Sequence, residues 1–337
     1  MRRPALRAAR LLCGAVLGLS FALGGAGTAL AQSGTAPVAW SDTLSAIYRF
    51  EQWELDAEDG ARRYRVQLAV PKQAAPPAGF PVLYLLDGNA AFAALDSAQL
   101  AALAQQATPP VIAAIGYATA QRFDTTARAY DYTPPMPGPG ATMDQGATER
   151  PGGGADIFLA LIEQRIKPAV RGRAAIDPAR QSLWGHSYGG LFVLHTMLRH
   201  PAAFQRYIAA DASFWWQNGY LLQEEQQAAP VTSAICLLVM SGAGAWGNEA
   251  APARPGVDPA VIERQRALRR SVPQDTPRQF AARQAQRTGV QAHWREFAGA
   301  SHGAMLGLSL APALQLASAA APCTEQIAQD AGKMTSK

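Results

Sequence analysis

The sequence has few of the residues from which metal sites are built. Its 337 residues include 3 cysteines and 5 histidines, and the histidines are scattered singly along the chain. Structural zinc sites need several cysteines or histidines at short spacing. We therefore expect no metal centre and no cofactor.

The chain also lacks a basic excess outside its N-terminus. Four of the 30 basic residues and none of the 25 acidic ones fall in the first 31 residues, so 26 basic residues face 25 acidic ones in the remainder. A net charge near +1 gives no reason to expect nucleic acid or a membrane surface as a partner. A small molecule is the expected partner, and a monomer the expected state.

The first 31 residues have the pattern of a secretory signal peptide. An apolar run, Leu11–Ala26, is followed by Ala29-Leu30-Ala31, which fits an A-x-A cleavage site. The basic residues before the run are Arg2, Arg3, Arg7 and Arg10. The pattern predicts export to the periplasm or beyond, without membrane attachment after cleavage; an uncleaved anchor is the alternative.

After the leader, strand patterns alternate with helix patterns. Ile47–Leu55 and Ala61–Val70 predict an antiparallel hairpin around a turn. Short apolar runs typical of buried strands follow at Val82–Leu86, Val111–Ile115 and Gln181–Trp184, and further strands are expected at Gln205–Ala210, Ala234–Met240 and Val290–Phe297. This alternation predicts an α/β fold with a mostly parallel sheet, an N-terminal antiparallel hairpin and helices on both faces.

We expect one domain over residues 38–322 and a C-terminal tail over 323–337. A single helix is expected from Ala90 to Gln106, and Arg122–Thr133 is expected to be a loop. The stretch 134–154 is crowded with proline and glycine and shows no apolar periodicity. It is either a flexible surface loop or a flap over the active site.

The sequence around Ser187 has the Gly-x-Ser-x-Gly form of a nucleophile elbow. An apolar strand precedes it and an apolar helix follows it, which is the context that this motif requires. Gly185, Gly189 and Gly190 leave room for the sharp turn that raises the serine above the sheet. The sequence therefore predicts an α/β-hydrolase fold with Ser187 as nucleophile.

A serine nucleophile needs a histidine base, and the usual chain order in this fold is serine, acid, histidine. His302 follows the last strand and is the expected base, whereas His186 is expected to pack or to line the pocket. The acid should follow Ala234–Met240, where Glu249 is the first carboxylate and Asp258 the alternative. A serine–histidine pair without an acid stays open.

The oxyanion of the reaction needs two backbone N–H donors. One is expected from Tyr188, directly after the nucleophile. The other is expected from Asn89, because Asp87-Gly88-Asn89 follows the central strand Val82–Leu86 and Gly88 permits a sharp turn.

Several motifs together resemble a known family. They are YLLDGN (84–89), ARAYDYTP (127–134), WGHSYGG (184–190), SFWW (213–216) and SHG (301–303). Over 49–306 the chain resembles the putative esterase family of α/β hydrolases, and within it the bacterial siderophore esterases, which open the trilactone of enterobactin-type catecholate siderophores. The Gly-Glu pattern that the family has around the acid is matched only weakly at 244–249. The family also includes S-formylglutathione hydrolases and mycolyltransferases.

The resemblance implies a carboxylic ester as substrate, from a catecholate siderophore with or without iron. Such an anionic, aromatic ligand would be matched by Arg128, Tyr130, Trp215 and Trp216, although Arg128 could instead pair internally with Asp131 or Asp211. Alternatives are a general carboxylesterase, an acyltransferase, and a siderophore-binding protein whose catalytic site has decayed.

Two cysteines remain after the leader, in an oxidising compartment. Cys236 lies near the start of its strand, at the end of the sheet opposite the active site. The closing helix, Ala304–Ala320, starts at the catalytic end and should carry Cys323 back to that opposite edge. A Cys236–Cys323 disulfide is expected; two free thiols are the alternative.

Overall fold

The computed structural model describes residues 42–138, 140–144, 150–243, 259–320 and 323. Within these ranges, no helix is long and apolar enough to span a membrane. The expected signal peptide (1–31), the expected acids Glu249 and Asp258, and the tail after Cys323 lie outside the described residues.

The described chain is built around one sheet of eight strands, in the order β1-β2-β4-β3-β5-β6-β7-β8. The strands are β1 (Tyr48–Asp56), β2 (Arg63–Pro71), β3 (Phe80–Leu85), β4 (Val111–Tyr117), β5 (Ile176–His186), β6 (Arg206–Ala210), β7 (Ile235–Gly242) and β8 (Val290–Phe297). Strands β1 and β2 form an antiparallel hairpin, β2 is antiparallel to β4, and the strands from β4 to β8 are parallel. The predicted fold class, an α/β-hydrolase fold with an N-terminal hairpin, is confirmed.

Burial explains why these segments are strands. Every residue of β3, β4, β6 and β7 is buried, as expected for parallel strands covered on both faces. The edge strand β1 alternates between more and less exposed positions, because only one of its faces meets the core.

Helices cover both faces of the sheet. They are α1 (Asp42–Ile47), α2 (Gly88–Ala93), α3 (Ser97–Ala104), α4 (Ala127–Tyr132), α5 (Ala155–Leu161), α6 (Lys167–Arg171), α7 (Tyr188–Arg199), α8 (Tyr220–Gln226), α9 (Pro259–Arg269), α10 (Thr276–Gln284), α11 (His302–Leu308) and α12 (Leu310–Ser318). One turn of π-helix (Ile162–Ile166) joins α5 to α6, and a short 3₁₀ turn (Trp216–Asn218) precedes α8. Residues of α5, α7 and α10 belong to the core on one face, and residues of α2, α3, α11 and α12 to the core on the other.

Two local expectations were wrong. The segment expected as one helix from Ala90 to Gln106 is two helices: α2 ends at Ala93, and Asp96 is extended and caps α3 by accepting a hydrogen bond from the Gln99 N–H at 2.8 Å. The segment expected as a loop over Arg122–Thr133 contains α4.

The C-terminal helices return to the edge of the sheet opposite the catalytic end, as expected. Cys236 and Cys323 form a disulfide with a Cα–Cα distance of 5.4 Å, so the predicted bridge is confirmed. The Arg180 and Arg206 guanidiniums both donate to the Ala319 carbonyl, at 2.9 and 2.8 Å. The end of α12 is thus fixed by a covalent bridge and by two charged hydrogen bonds.

Candidate active site

Ser187 lies at the sharp turn between β5 and α7. Its backbone has φ 62° and ψ −117°, a conformation that L-residues rarely adopt. A side chain at Gly185 would overlap the backbone of Gly189, and a Cβ at Gly190 would lie 2.9 Å from the Ala212 Cα. The glycines of the motif are therefore required by close backbone contacts, and the turn places the Ser187 hydroxyl at the carboxyl end of the sheet.

His302 and Asp211 extend from this serine in a line. The His302 Nε2 lies 3.1 Å from the Ser187 Oγ, and the His302 Nδ1 lies 3.2 Å from the Asp211 Oδ2. The Asp211 side chain is 2% exposed, and its Oδ1 accepts a hydrogen bond from the Gly242 N–H at 2.8 Å. The neighbouring strand β7 thus holds the carboxylate in the orientation that meets the imidazole.

The acid position differs from the expectation. Glu249 and Asp258 lie outside the described residues, whereas the His302 Nδ1 is within hydrogen-bonding distance of Asp211. Asp211 directly follows β6, one strand earlier than the expected acid position after β7. Its sequence signal was a carboxylate immediately after a buried strand, and the chain order serine, acid, histidine is kept.

Three residues at this end of the sheet have a left-handed backbone conformation, with positive φ. Asp87, Ser187 and Asp211 have φ of 51°, 62° and 42°, and they follow the adjacent strands β3, β5 and β6. Such conformations cost roughly 1–3 kcal/mol each in non-glycine residues and cluster at functional sites. The site lies outside the carboxyl ends of parallel strands, where α/β sheets bind their ligands.

His186 supports the loop that carries His302. Its Nε2 lies 2.8 Å from the His302 carbonyl oxygen, and the two rings are 4.6 Å apart between centroids. Burial, with a smaller effect of the neighbouring His302, lowers the pKa of His186 well below its usual value. A neutral imidazole that donates its Nε2–H to this carbonyl fits both observations.

The segments expected to form the oxyanion hole are in contact. A Cβ at Gly189, in the first turn of α7, would lie 3.5 Å from the Leu86 Cβ and 3.7 Å from the Asp87 Oδ2. The Asn89 side chain donates to carbonyls in the last residue of β4 and in the chain after it, at 3.0–3.1 Å, and so fixes α2 against that strand. The loop after β3 therefore lies beside the elbow; the Asn89 N–H as a donor stays a prediction.

Arg128 does not present a free guanidinium. It makes two hydrogen bonds to Asp87, both at 2.8 Å, and its side chain is 13% exposed. The internal partner is therefore Asp87, and neither of the two acids considered from the sequence. One of those, Asp131, pairs with Arg62 at 3.0 Å, and burial raises the pKa of Asp131 to about 7.

The two tryptophans of the SFWW motif have different environments. Trp216 is fully buried and packs edge-on against Tyr220, so its expected contact with substrate is wrong and its role is core packing. Trp215 is partly buried, and its ring lies 5.8 Å from that of Tyr188. Of the pair, Trp215 is the one that packs on Tyr188, the residue that follows the nucleophile.

Tyr130, the remaining residue expected to bind substrate, lies under the Arg62 guanidinium at 4.3 Å from its ring centroid. Both side chains line a cavity of about 410 Å³, and Arg62 also lines a second cavity of about 670 Å³. Neither cavity is lined by Ser187 or His302, so we do not assign either of them to the reacting ester.

Among the described residues, His186, Asp211 and His302 bring potential metal ligands within 4.8 Å of one another. Each of these side chains already has a hydrogen-bond partner, and two of them form the line from Ser187. The chemistry of the cluster is therefore that of proton transfer to and from a serine.

Comparisons with known proteins agree with this geometry. The family described as putative esterase matches residues 58–243. The apo-salmochelin esterase of Escherichia coli O6:H1 is 41% identical over 209 residues, which are 62% of this chain and 65% of that protein. The ferri-bacillibactin esterase BesA of Bacillus subtilis is 32% identical over 76% of this chain and 85% of that protein.

A solved structure has the same fold. The enterobactin and salmochelin hydrolase IroE superposes with a TM-score of 0.60 at 35% identity, over 81% of this chain and 96% of its own. The family match covers more than half of the chain, and BesA passes 30% identity over most of both proteins. The chain therefore belongs to the putative esterase family.

Proposed function

We propose that this protein is a serine esterase that hydrolyses the lactone ester bonds of enterobactin-type catecholate siderophores. The observation that carries the proposal is the hydrogen-bonded line Ser187–His302–Asp211 on a nucleophile elbow, in a chain whose relatives are named as siderophore esterases. The line supports ester hydrolysis, and the relatives support the substrate class.

The reaction follows from the positions of these groups. The Ser187 Oγ attacks the ester carbonyl while the His302 Nε2 accepts the hydroxyl proton. The imidazolium that forms is stabilised by the Asp211 carboxylate at its Nδ1. It then protonates the departing alkoxide, which leaves an acyl-enzyme; when the cyclic trilactone is opened, the freed hydroxyl stays on the acyl chain. Water, deprotonated by His302, attacks the acyl group and restores the serine.

We propose Asp211 as the acid of this triad, in place of Glu249 or Asp258. Its carboxylate is buried beside the imidazole and is held by the Gly242 N–H, so it needs no rearrangement to orient His302. The oxyanion that develops on the carbonyl is stabilised by the Tyr188 N–H and by a donor from the loop after β3, for which Asn89 stays the prediction.

The signal-peptide pattern supports export of the enzyme to the periplasm or beyond, where the mature chain would act as a monomer. The aromatic wall formed by Trp215 and by Tyr188, the residue that follows the nucleophile, supports a substrate with aromatic groups.

A chromatographic assay tests the substrate. Mature protein is incubated with enterobactin, with and without iron, and beside p-nitrophenyl acetate, with Ser187→Ala as the control. We expect the trilactone to be opened with a kcat/KM well above that for the aryl ester, and no product from the variant. Rapid aryl-ester cleavage without trilactone cleavage would instead indicate a general carboxylesterase. Tight siderophore binding without cleavage of either substrate would indicate a binding protein.

A further inference from the structure

Asp144 places a buried carboxylate against Tyr188, the residue that follows the nucleophile. Its Oδ1 accepts a hydrogen bond from the Tyr188 hydroxyl at 2.7 Å, and its Oδ2 is 2.5 Å from the Arg150 Nη2. The Asp144 side chain is 0% exposed. A carboxylate is costly to bury unless it is paired and hydrogen-bonded, and both of its oxygens have such partners here. The reaction described above makes no use of this group.

The chain around Asp144 is fixed on two sides. Arg150 also donates to the Thr125 carbonyl at 2.8 Å, next to α4. The Met143 carbonyl accepts a hydrogen bond from the Gln217 side chain at 2.8 Å, in the turn that follows Trp215. The described parts of the segment expected to be a loop or flap, on either side of 145–149, are therefore attached to the elements that border the nucleophile.

Tyr188 connects this segment to the proposed substrate wall. Its ring is 6% exposed and lies 5.8 Å from the Trp215 ring and 5.4 Å from the Arg128 guanidinium. Because Tyr188 is the first residue of α7, its main chain is fixed by the elbow, whereas its side chain is held at the hydroxyl by Asp144. A change at Asp144 would thus move the ring and leave the nucleophile in place.

We propose that Asp144 is a positioning residue that sets the spacing of the Tyr188–Trp215 wall and thereby favours esters with an aromatic acyl group. This inference rests on the proposed function only in taking Ser187 as the nucleophile of an ester hydrolysis. The partly buried Trp215 ring packs on the ring of the residue that follows the serine, and an aromatic face stacks well on aromatic rings. The alternative is that Asp144 only stabilises the fold, in which case all substrates lose activity together.

The test compares two aryl esters that share a leaving group, p-nitrophenyl acetate and p-nitrophenyl benzoate. The readout is the ratio of kcat/KM for benzoate to that for acetate. In Asp144→Ala we expect the ratio to fall roughly tenfold, mainly through KM, as the loss of a hydrogen bond to a charged group allows. Asp144→Asn should keep most of the ratio, because its amide oxygen still accepts from the Tyr188 hydroxyl.

Two further variants separate positioning from stability. Tyr188→Phe removes the hydroxyl and keeps the ring, so it should lower the ratio as Asp144→Ala does, even if the alanine variant fails to fold. Glu224→Gln disturbs another buried carboxylate, bonded to His195 on the far part of α7, and should lower the melting temperature without changing the ratio.

An unchanged ratio in both Asp144→Ala and Tyr188→Phe would overturn the inference, as would an equal fall in Glu224→Gln. A wild-type protein inactive on both aryl esters and on enterobactin would overturn the proposed function as well. A wild-type protein that is active on the aryl esters, with a ratio that neither Asp144→Ala nor Tyr188→Phe changes, would overturn this inference alone.

Discussion

Replacing Asp211 by asparagine changes one atom of the proposed triad and should nearly abolish turnover. The amide oxygen can still accept the hydrogen bond from the Gly242 N–H, which the wild-type carboxylate accepts at 2.8 Å. The amide nitrogen would then face the His302 Nδ1, which lies 3.2 Å from the present Oδ2. Two donors cannot face each other, so the imidazole must carry its proton on Nε2, where it cannot accept the Ser187 proton.

The expected loss follows from this tautomer change. In serine hydrolases whose acid is replaced in this way, kcat falls by about 10⁴, which corresponds to about 5 kcal/mol of transition-state stabilisation. KM should change little, because Asp211 is buried behind the imidazole and does not line the entrance. The residual activity should come from the oxyanion donors and from substrate binding.

The assay is steady-state hydrolysis of p-nitrophenyl acetate, with thermal unfolding to confirm that each variant is folded. Glu249→Gln is the matched control, since it makes the same chemical change at the acid expected from the sequence. We expect near wild-type turnover in the control. Turnover above a tenth of wild type in Asp211→Asn, together with a large loss of turnover in Glu249→Gln, would refute the assignment of Asp211.

His186→Gln should lower kcat by roughly tenfold, because the flexible amide replaces the rigid imidazole donor to the His302 carbonyl imperfectly; wild-type turnover would contradict this positioning role. Burial opposes protonation of His195, but its carboxylate partners Asp156 and Glu224 outweigh burial and raise its pKa to about 9. Up to about 3 kcal/mol of folding stability should therefore be present below pH 6.5 and be lost as the pH rises through 9. Unfolding free energies at pH 6.5 and 9.5 should show that loss in wild type and a smaller one in Glu224→Gln. Reduction of the disulfide, which closes a separation of 87 residues, should lower the melting temperature by roughly 5–10 °C, and an unchanged value would deny it a stabilising role.

The sheet and the elbow could be predicted from the sequence because their signals are local. Strands buried on both faces are continuous apolar runs, and β7, which is buried at every residue, overlaps the strand expected over Ala234–Met240. The turn at Ser187 requires glycines at fixed spacing, so the motif itself specifies the geometry. The disulfide was predictable for a related reason, since alternating strands and helices fix the end of the sheet at which each segment finishes.

The acid and the partner of Arg128 could not be predicted in the same way. Both Asp211 and Asp87 follow buried strands, and the sequence does not tell which histidine or arginine will lie against each carboxylate. Those pairings depend on strand order and on left-handed turns at the strand ends. Trp215 and Trp216 were indistinguishable for the same reason, because the turn that points one of them into the core is set by tertiary contacts.

Covalent labelling tests the central claim most directly. Wild-type protein and the variants Ser187→Ala and His302→Gln are treated with a fluorophosphonate, and the labelled peptide is located by mass spectrometry. Since only an activated serine reacts readily with such a reagent, we predict one label per chain on Ser187, none in Ser187→Ala, and labelling slowed by orders of magnitude in His302→Gln. A wild-type protein that stays unlabelled, or a label on another residue, would contradict the account.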